Sequence, residues 1–105
     1  MSSVSTHVLD TVAGRPATGV TVTLTDADGT ELGTATTDAD GRAHLGTVSE
    51  PGPHRLRFET GAYFADRGID TFYPEVTITF TIAAATHSHV PLLLSPFAYS
   101  TYRGS

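Results

Sequence analysis

Three of the five histidines lie in segments that alternate as β-strands do. His87 and His89 are two residues apart in HSHVPLLLS, and His7 lies in the N-terminal segment VSTHVLD. Because side chains of a strand alternate between its faces, His87 and His89 point to the same face. An imidazole titrates near neutral pH, so it can take a proton from water and return it to a leaving group. The spacing indicates acid–base chemistry, although any one such histidine taken alone is more often packed or solvated.

The same three histidines suggest a second kind of site. Three imidazoles are enough for an open zinc site, and His7 with His87 and His89 would make such a set. The HxH spacing is short and common, however, and no acidic residue stands beside it. We therefore predict that the site holds no metal.

Covalent catalysis finds little support in the residue types. The chain has no cysteine, and no serine stands in a GxSxG sequence. Neither a thiolate nor an activated serine is therefore indicated as a nucleophile. Direct attack by water is the mechanism that these residues favour.

Two further segments carry groups that a site can use. Arg42 follows the turn sequence TTDADG, where a solvated charge is the ordinary expectation. The chain closes on Tyr102-Arg103-Gly104-Ser105, directly after an apolar strand and at a place where chains usually fray. From the residue types alone, both segments are equally well explained as surface.

The elements that must position these residues are short strands. VTVTLT and EVTITFTIA alternate apolar and polar residues, and Asp-Gly turns separate such runs at the spacing of a sandwich. The run Leu92-Leu93-Leu94 has no polar face, which indicates a strand covered on both sides. Only GAYFADRG, residues 61–68, is typical of a short helix. The predicted fold is an all-β antiparallel sandwich of about eight strands with one short helix.

Composition limits the partners and the number of domains. A chain of 105 residues predicts a single domain, residues 1–105. The net charge of −5, with six arginines and no lysine against 11 acidic residues, argues against nucleic acid and anionic membranes as partners. The chain shows no cysteine, no signal-peptide pattern and no apolar run of about 18 residues, so we expect a cytoplasmic protein.

Several stretches resemble the transthyretin-related family, and specifically its enzyme branch, the 5-hydroxyisourate hydrolases. They are STHVLDT with GRPA, TTDADGR, FYPEV and HSHVPLLLSPFAYSTYRGS, which together span essentially the whole chain. The closing YRGS is the most specific, since it separates the hydrolases from the hormone-carrying transthyretins. Ser88 departs from the pattern, because many members have an aromatic residue between the histidines. It alternates away from the histidine face, so we expect it to affect packing rather than chemistry.

The resemblance implies an architecture and a reaction. Each protomer would be a transthyretin-like sandwich of two four-stranded sheets, and a dimer of dimers would form a homotetramer with its sites in a channel at the dimer–dimer interface. The reaction would be hydrolysis of 5-hydroxyisourate to 2-oxo-4-hydroxy-4-carboxy-5-ureidoimidazoline, the step after urate oxidation in purine breakdown, with no metal or other cofactor. The residues that match the family's catalytic positions are His7, Arg42, His89 and Tyr102-Arg103-Gly104-Ser105.

Each matched residue is then expected to have a role. His7 and His89 would activate water and pass a proton to the departing nitrogen, and the sequence leaves open which of them is the base. Arg42 would hold the planar substrate and stabilise the developing oxyanion. Tyr102 would wall the pocket, and Ser105 would contact the substrate.

Two other charged or titratable residues are expected to have structural roles. Arg103 alternates away from Tyr102, so we expect it to pair with an acidic neighbour or with the terminal carboxylate. His44, which follows Arg42 in a short strand, is expected to pack or to support the residues that touch substrate.

Two functions of other classes compete with the hydrolase. A transthyretin-type carrier would bind a small hydrophobic ligand in the same channel, and a sandwich interaction module would have no site. Imidazole and guanidinium groups facing the channel favour the enzyme, since a carrier would prefer an apolar lining. A module without a site would not need His7, Arg42, His89 and this C-terminus together.

Overall fold

The computed structural model of the protein describes residues 1–105, which form nine strands and one helix. The helix α1 comprises Thr60–Ala65. The strands are β1 Ser2–Asp10, β2 Arg15–Pro16, β3 Thr21–Asp26, β4 Glu31–Thr36, β5 Arg42–Val48, β6 Gly52–Phe58, β7 Val76–Ile82, β8 His87–Ser95 and β9 Ala98–Thr101. The predicted sandwich is confirmed, and the additional strand is the two-residue β2.

The strands form two sheets. In the first, β1 is central: β5 and the short β2 pair with successive parts of one edge, β8 pairs with the other edge, and β9 follows β8. The second sheet has the order β4-β3-β6-β7. The candidate residues of the sequence lie in the first sheet and in the segment that follows β9.

One strand pair departs from the predicted antiparallel arrangement. β1 and β8 are parallel, while every other pair is antiparallel. A parallel pair requires a long crossover connection rather than a hairpin. The chain between β1 and β8 supplies that crossover, because it builds the whole second sheet before it returns.

The hydrophobic core lies between the two sheets. Alternation places Val4 and Val8 of β1 inward, and Leu56 and Phe58 of β6 face them from the second sheet, all fully or almost fully buried. Burial of such a side chain contributes about 1.5–3 kcal/mol. Because β1 packs inward through its valines, its other face is left for polar side chains.

The helix is shorter than predicted. It ends at Ala65 rather than at residue 68, and Gly68 closes the turn that follows with a φ of 68°. Its buried face consists of Thr60, Tyr63 and Phe64. With only six residues, it leaves the chain without any helix that is long and apolar enough to cross a membrane.

The leucine run of β8 is covered less completely than predicted. Leu92 and Leu94 are buried in the core, whereas Leu93 points to the outer face and is half-buried. Leu93 lies beside Leu9 of β1 in the parallel register. The outer face of the first sheet thus carries a small apolar area next to the histidines.

Candidate active site

The central strand β1 presents the first polar residues of the site. Val4, Thr6 and Val8 point into the core, so Ser5 and His7 point to the outer face of the sheet. The strand-like alternation of this segment is therefore confirmed. It places a hydroxyl and an imidazole two residues apart on one surface.

A bulge in β5 brings a second set of groups beside them. Val4 pairs with Gly46 and Ser5 with His44, so the register shifts by one residue between the two pairs. Gly46 has a φ of 95°, a conformation suited to glycine. After the shift, His44 lies opposite Ser5, and Arg42 lies opposite His7.

The turn before β5 holds the start of that strand in place. The Asp38 carboxylate accepts hydrogen bonds from the backbone amides of Asp40 and Arg42 at 2.9 and 3.0 Å. The bond from the Arg42 amide is the main cause that holds the pKa of Asp38 below its usual value. Gly41 has a φ of 75°, and its carbonyl accepts a 2.8 Å hydrogen bond from the amide of Val8. The turn is therefore anchored to β1 next to His7.

Strand β8 completes the set from the other edge of β1. In the parallel register, His87 lies beside Ser3, His89 beside Ser5, and Pro91 beside His7. His87 and His89 therefore share the outer face, as their spacing predicted. Two neighbouring rows result, which run across β5, β1 and β8: His44–Ser5–His89 and Arg42–His7–Pro91.

The C-terminal residues continue the ladder of β9 along β8. The Gly104 amide donates a 2.9 Å hydrogen bond to the carbonyl oxygen of His89. A Cβ atom on Gly104 would lie only 2.5 Å from Cδ2 of the His89 ring. A side chain at position 104 would therefore displace this imidazole or the closing segment, and Ser105 follows at the edge of the site.

These elements enclose a polar depression of about 220 Å³. No hydrophobic or acidic side chain lines it. Its lining residues are Ser5, Thr6, Arg42, His44, His87, His89 and Ser105. The site therefore offers hydrogen-bonding and cationic groups to a polar, electron-rich ligand.

A chain of hydrogen bonds runs beneath the depression. Oγ of Ser3 lies 2.6 Å from Nδ1 of His87, Oγ of Ser5 lies 2.9 Å from Nε2 of His87, and Oγ of Ser5 lies 2.8 Å from Nδ1 of His89. Nε2 of His89 has no hydrogen-bond partner within the protomer. One ring nitrogen of His89 is thus held by the protein, and the other is free for a ligand.

The electrostatics of the site favour neutral His89. Burial is the main cause that lowers the pKa of His89 below its ordinary value, and the positive charge of Arg42 adds to it. The neighbouring His87, His7 and His44 act in the same direction. At neutral pH the imidazole therefore keeps a lone pair with which to accept a proton.

The structure unites most of the predicted site residues. Arg42, His89 and Ser105 line the depression, and His7 borders it through its row with Arg42. Tyr102 lies elsewhere: it is 56% exposed and lines a larger adjoining cavity of about 560 Å³ between β7 and the C-terminal segment. The two cavities share His87, His89 and Ser105.

The same geometry places two further sets of residues. Arg103 was expected to pair with a carboxylate, yet the only ion pair of the protomer joins Arg57 and Glu59. The alternative zinc set is not formed, since no three histidine or acidic side chains are grouped so as to hold a metal ion. Ser5 lies between the nitrogens of His87 and His89 instead.

Sequence reasoning assigned no role to Ser5, and it left the individual roles of His87 and Gly104 open. Ser5 and His87 form the hydrogen bonds beneath His89, and Gly104 packs against its ring. Ser5 has a local signal, since it lies two residues before His7 and shares its face. Its partners are more than 80 residues away in the chain, so no local pattern indicates them.

Comparison with known proteins is consistent with this geometry. The model of the HIUase/Transthyretin family matches residues 4–104. The 5-hydroxyisourate hydrolase of Mus musculus is 46% identical, and the match covers 99% of this chain and 96% of the mouse protein. The structure of Klebsiella pneumoniae 5-hydroxyisourate hydrolase superimposes with a TM-score of 0.90 at 42% identity, covering 100% of this chain and 94% of that chain. Sea bream transthyretin in complex with thyroxine gives a TM-score of 0.87 at 32% identity over 96% of this chain and 93% of that chain.

Proposed function

The chain belongs to the HIUase/Transthyretin family, and we propose that it is a 5-hydroxyisourate hydrolase that catalyses attack of water on a cyclic amide. The product is 2-oxo-4-hydroxy-4-carboxy-5-ureidoimidazoline, and the reaction follows urate oxidation in purine breakdown. The observation that carries the proposal is the meeting of His7, Arg42 and His89 from three strands on one face of the first sheet. Such a set matches the needs of amide hydrolysis, which are a base, an acid and a stabiliser of negative charge.

In the proposed mechanism, His89 is the general base. Its lowered pKa keeps it neutral, so Nε2 takes a proton from water while the hydroxide oxygen bonds to the carbonyl carbon of the ring. The tetrahedral intermediate carries negative charge on the former carbonyl oxygen. The C–N bond then breaks, and the proton passes from Nε2 to the departing nitrogen, which returns His89 to its starting state.

Arg42 and His7 act beside the base. The guanidinium of Arg42 is exposed at the start of β5, where it can bind planar substrate oxygens in a bidentate manner and stabilise the oxyanion. His7, opposite Arg42, binds substrate and helps to place the water. Ser105 supplies a hydroxyl from the rim, and Tyr102 borders the substrate from the adjoining cavity.

The proposal includes a homotetramer whose sites lie at the dimer–dimer interface. The exposed edge strand β9 and the half-buried Leu9 and Leu93 next to the site support it. An uncovered edge strand and an apolar outer face both favour association. We further propose that residues 1–105 act as one catalytic domain and that the protein is cytoplasmic; the cysteine-free composition supports this location.

The test is an ultraviolet assay in which urate oxidase generates 5-hydroxyisourate from urate in situ. Wild type should accelerate the decay of its absorbance, and His89→Ala should return the decay to near the uncatalysed rate. His54→Asn, a change at a buried histidine of the second sheet, serves as the matched control and should retain activity. Uncatalysed decay with folded wild type would contradict the hydrolase and favour the carrier.

A further inference from the structure

The hydrogen bonds beneath His89 depend on a single proton. Ser5 Oγ lies 2.9 Å from Nε2 of His87 and 2.8 Å from Nδ1 of His89. A serine hydroxyl has one hydrogen to donate and lone pairs with which to accept. If Ser5 donates to one imidazole, the other must therefore donate an N–H to Ser5. The tautomers of His87 and His89 are coupled through this hydroxyl.

When both imidazoles are neutral, two arrangements let Ser5 donate its hydrogen within the chain. In one, Ser5 donates to Nδ1 of His89, so the His89 proton is on Nε2 and no lone pair faces the ligand. In the other, Nδ1–H of His89 donates to Ser5, Ser5 donates to Nε2 of His87, and Nδ1–H of His87 donates to Ser3. The second arrangement leaves the lone pair of His89 on Nε2, the nitrogen without a protein partner.

We propose that Ser5 and His87 are positioning residues that hold neutral His89 in its Nδ1–H tautomer, with Nε2 ready to accept the proton of water. The inference rests on the proposed hydrolase function. The hydrogen bond made by one imidazole nitrogen decides which of the two carries the proton. Ser5 is suited to this task because it is only 5% exposed and its hydroxyl lies within hydrogen-bond distance of both rings.

The partner of Nδ1 of His89 is the neutral hydroxyl of Ser5, and this arrangement therefore differs from a carboxylate–histidine pair. A carboxylate beside Nδ1 would favour the imidazolium and raise its pKa. No acidic side chain lines the depression, and the pKa of His89 is lowered by burial and by Arg42. A serine relay orients the base without making it hold its proton, so the same imidazole can release the proton to the leaving nitrogen.

Three variants test the relay by kinetics. Ser5→Ala removes the acceptor for Nδ1–H, and His87→Ala removes the acceptor of the Ser5 hydrogen, which can then turn to Nδ1 of His89. Both should lower kcat/KM by about ten- to a hundredfold, the usual cost of losing a group that orients a functional imidazole. Ser49→Ala is the matched control, because it is the same chemical change at an exposed residue in the loop between β5 and β6 that lines neither cavity; it should change kcat/KM less than threefold.

Nitrogen NMR of the histidine rings reports which nitrogen of His89 carries the proton, and a change in packing alone would not alter this tautomer. Neutral His89 should be protonated on Nδ1 in wild type and in Ser49→Ala, and on Nε2 in Ser5→Ala and His87→Ala. An Nε2–H tautomer in wild type, or unchanged kcat/KM in Ser5→Ala, would overturn the proposal. Wild type that does not hydrolyse 5-hydroxyisourate would instead overturn the proposed function, while the spectra would still decide whether the relay sets the tautomer.

Discussion

Gly104 lies directly against the imidazole of His89. Its amide donates to the carbonyl oxygen of His89 at 2.9 Å, and a Cβ atom at this position would lie 2.5 Å from Cδ2 of the ring. The last residues of the chain thus form one wall of the site. The orientation of the proposed base therefore depends on a residue that has no side chain.

Replacement of Gly104 tests this contact. Gly104→Ala should push the His89 ring away and lower kcat/KM by about tenfold or more, because small displacements of a catalytic group are costly. The melting temperature should change little, since Gly104 lies outside the hydrophobic core. Steady-state kinetics and thermal unfolding of Gly104→Ala test both expectations. A kcat/KM equal to that of wild type would show that the position of the His89 ring does not depend on this contact.

Arg42 should contribute through its shape as well as its charge. Arg42→Gln should lower kcat/KM by about 10²–10³-fold, the usual loss when a group that stabilises an oxyanion is removed. Arg42→Lys keeps the charge but loses the planar bidentate fork, so it should recover only part of the rate. Full activity of the lysine variant would show that charge alone is needed. Arg57→Gln, at an exposed ion pair of the second sheet, is the control.

The pH dependence of the reaction should follow the fraction of His89 that is neutral. Because the pKa of His89 is lowered, its neutral form persists to a lower pH than that of a free imidazole. Activity should therefore fall on the acid side with a midpoint below about 6.5. In Arg42→Gln the pKa of His89 should rise toward the ordinary value, and in Arg42→Lys it should stay low. Histidine NMR titration measures the pKa of His89, and kcat/KM as a function of pH gives the midpoint of activity. A midpoint above about 6.5 in wild type would contradict the assignment of His89 as the base.

Tyr63 should matter for stability rather than for catalysis. Its hydroxyl donates a 2.8 Å hydrogen bond to Oδ2 of the buried Asp10, at the end of β1. Burial and this bond raise the pKa of Tyr63 to about 12, so the hydroxyl remains a donor through the alkaline range. Tyr63→Phe leaves the carboxylate without that donor and should lower the free energy of unfolding by about 1–3 kcal/mol.

Urea denaturation of Tyr63→Phe should show this loss with a kcat/KM close to that of wild type, because Tyr63 lines neither cavity. Tyr99→Phe is a suitable control, since the Tyr99 hydroxyl makes no hydrogen bond in the protomer and its removal should cost little stability. Equal stability of the wild type and Tyr63→Phe would show that the bond to Asp10 adds nothing.

The β5 bulge should connect stability to substrate binding. Gly46 has a φ of 95° and open space around its Cβ position, so Gly46→Ala adds backbone strain without a clash. The free energy of unfolding should fall by about 1–2 kcal/mol. Gly29→Ala is the matched control: it has a φ of 85° and equally open space, but lies in a distant turn. Both should lose similar stability, and only Gly46→Ala should raise KM, through displaced Arg42 and His44.

Much of the local structure can be predicted from the sequence. The inward face of β1 and the shared face of His87 and His89 follow from alternation, which needs only neighbouring residues. The bulge also leaves a local trace, because Ala43 and Leu45 are two apart in the core whereas Val48 is three residues further on, past Gly46. A regular strand with Val48 inward would have turned Arg42 and His44 into the core.

Long-range placement could not be predicted in this way. The parallel pairing of β1 with β8 joins residues more than 80 positions apart, and nothing local sets that register. A shift of one residue would move His89 away from Ser5 and turn the strand over. The residue types and the family resemblance are read directly from the sequence. The face on which each strand residue lies also follows from the sequence alone, because alternation has a period of two residues. The neighbours of His89 were decided by the tertiary structure, because only the pairing of distant strands brings Ser5, Arg42 and Gly104 to one imidazole.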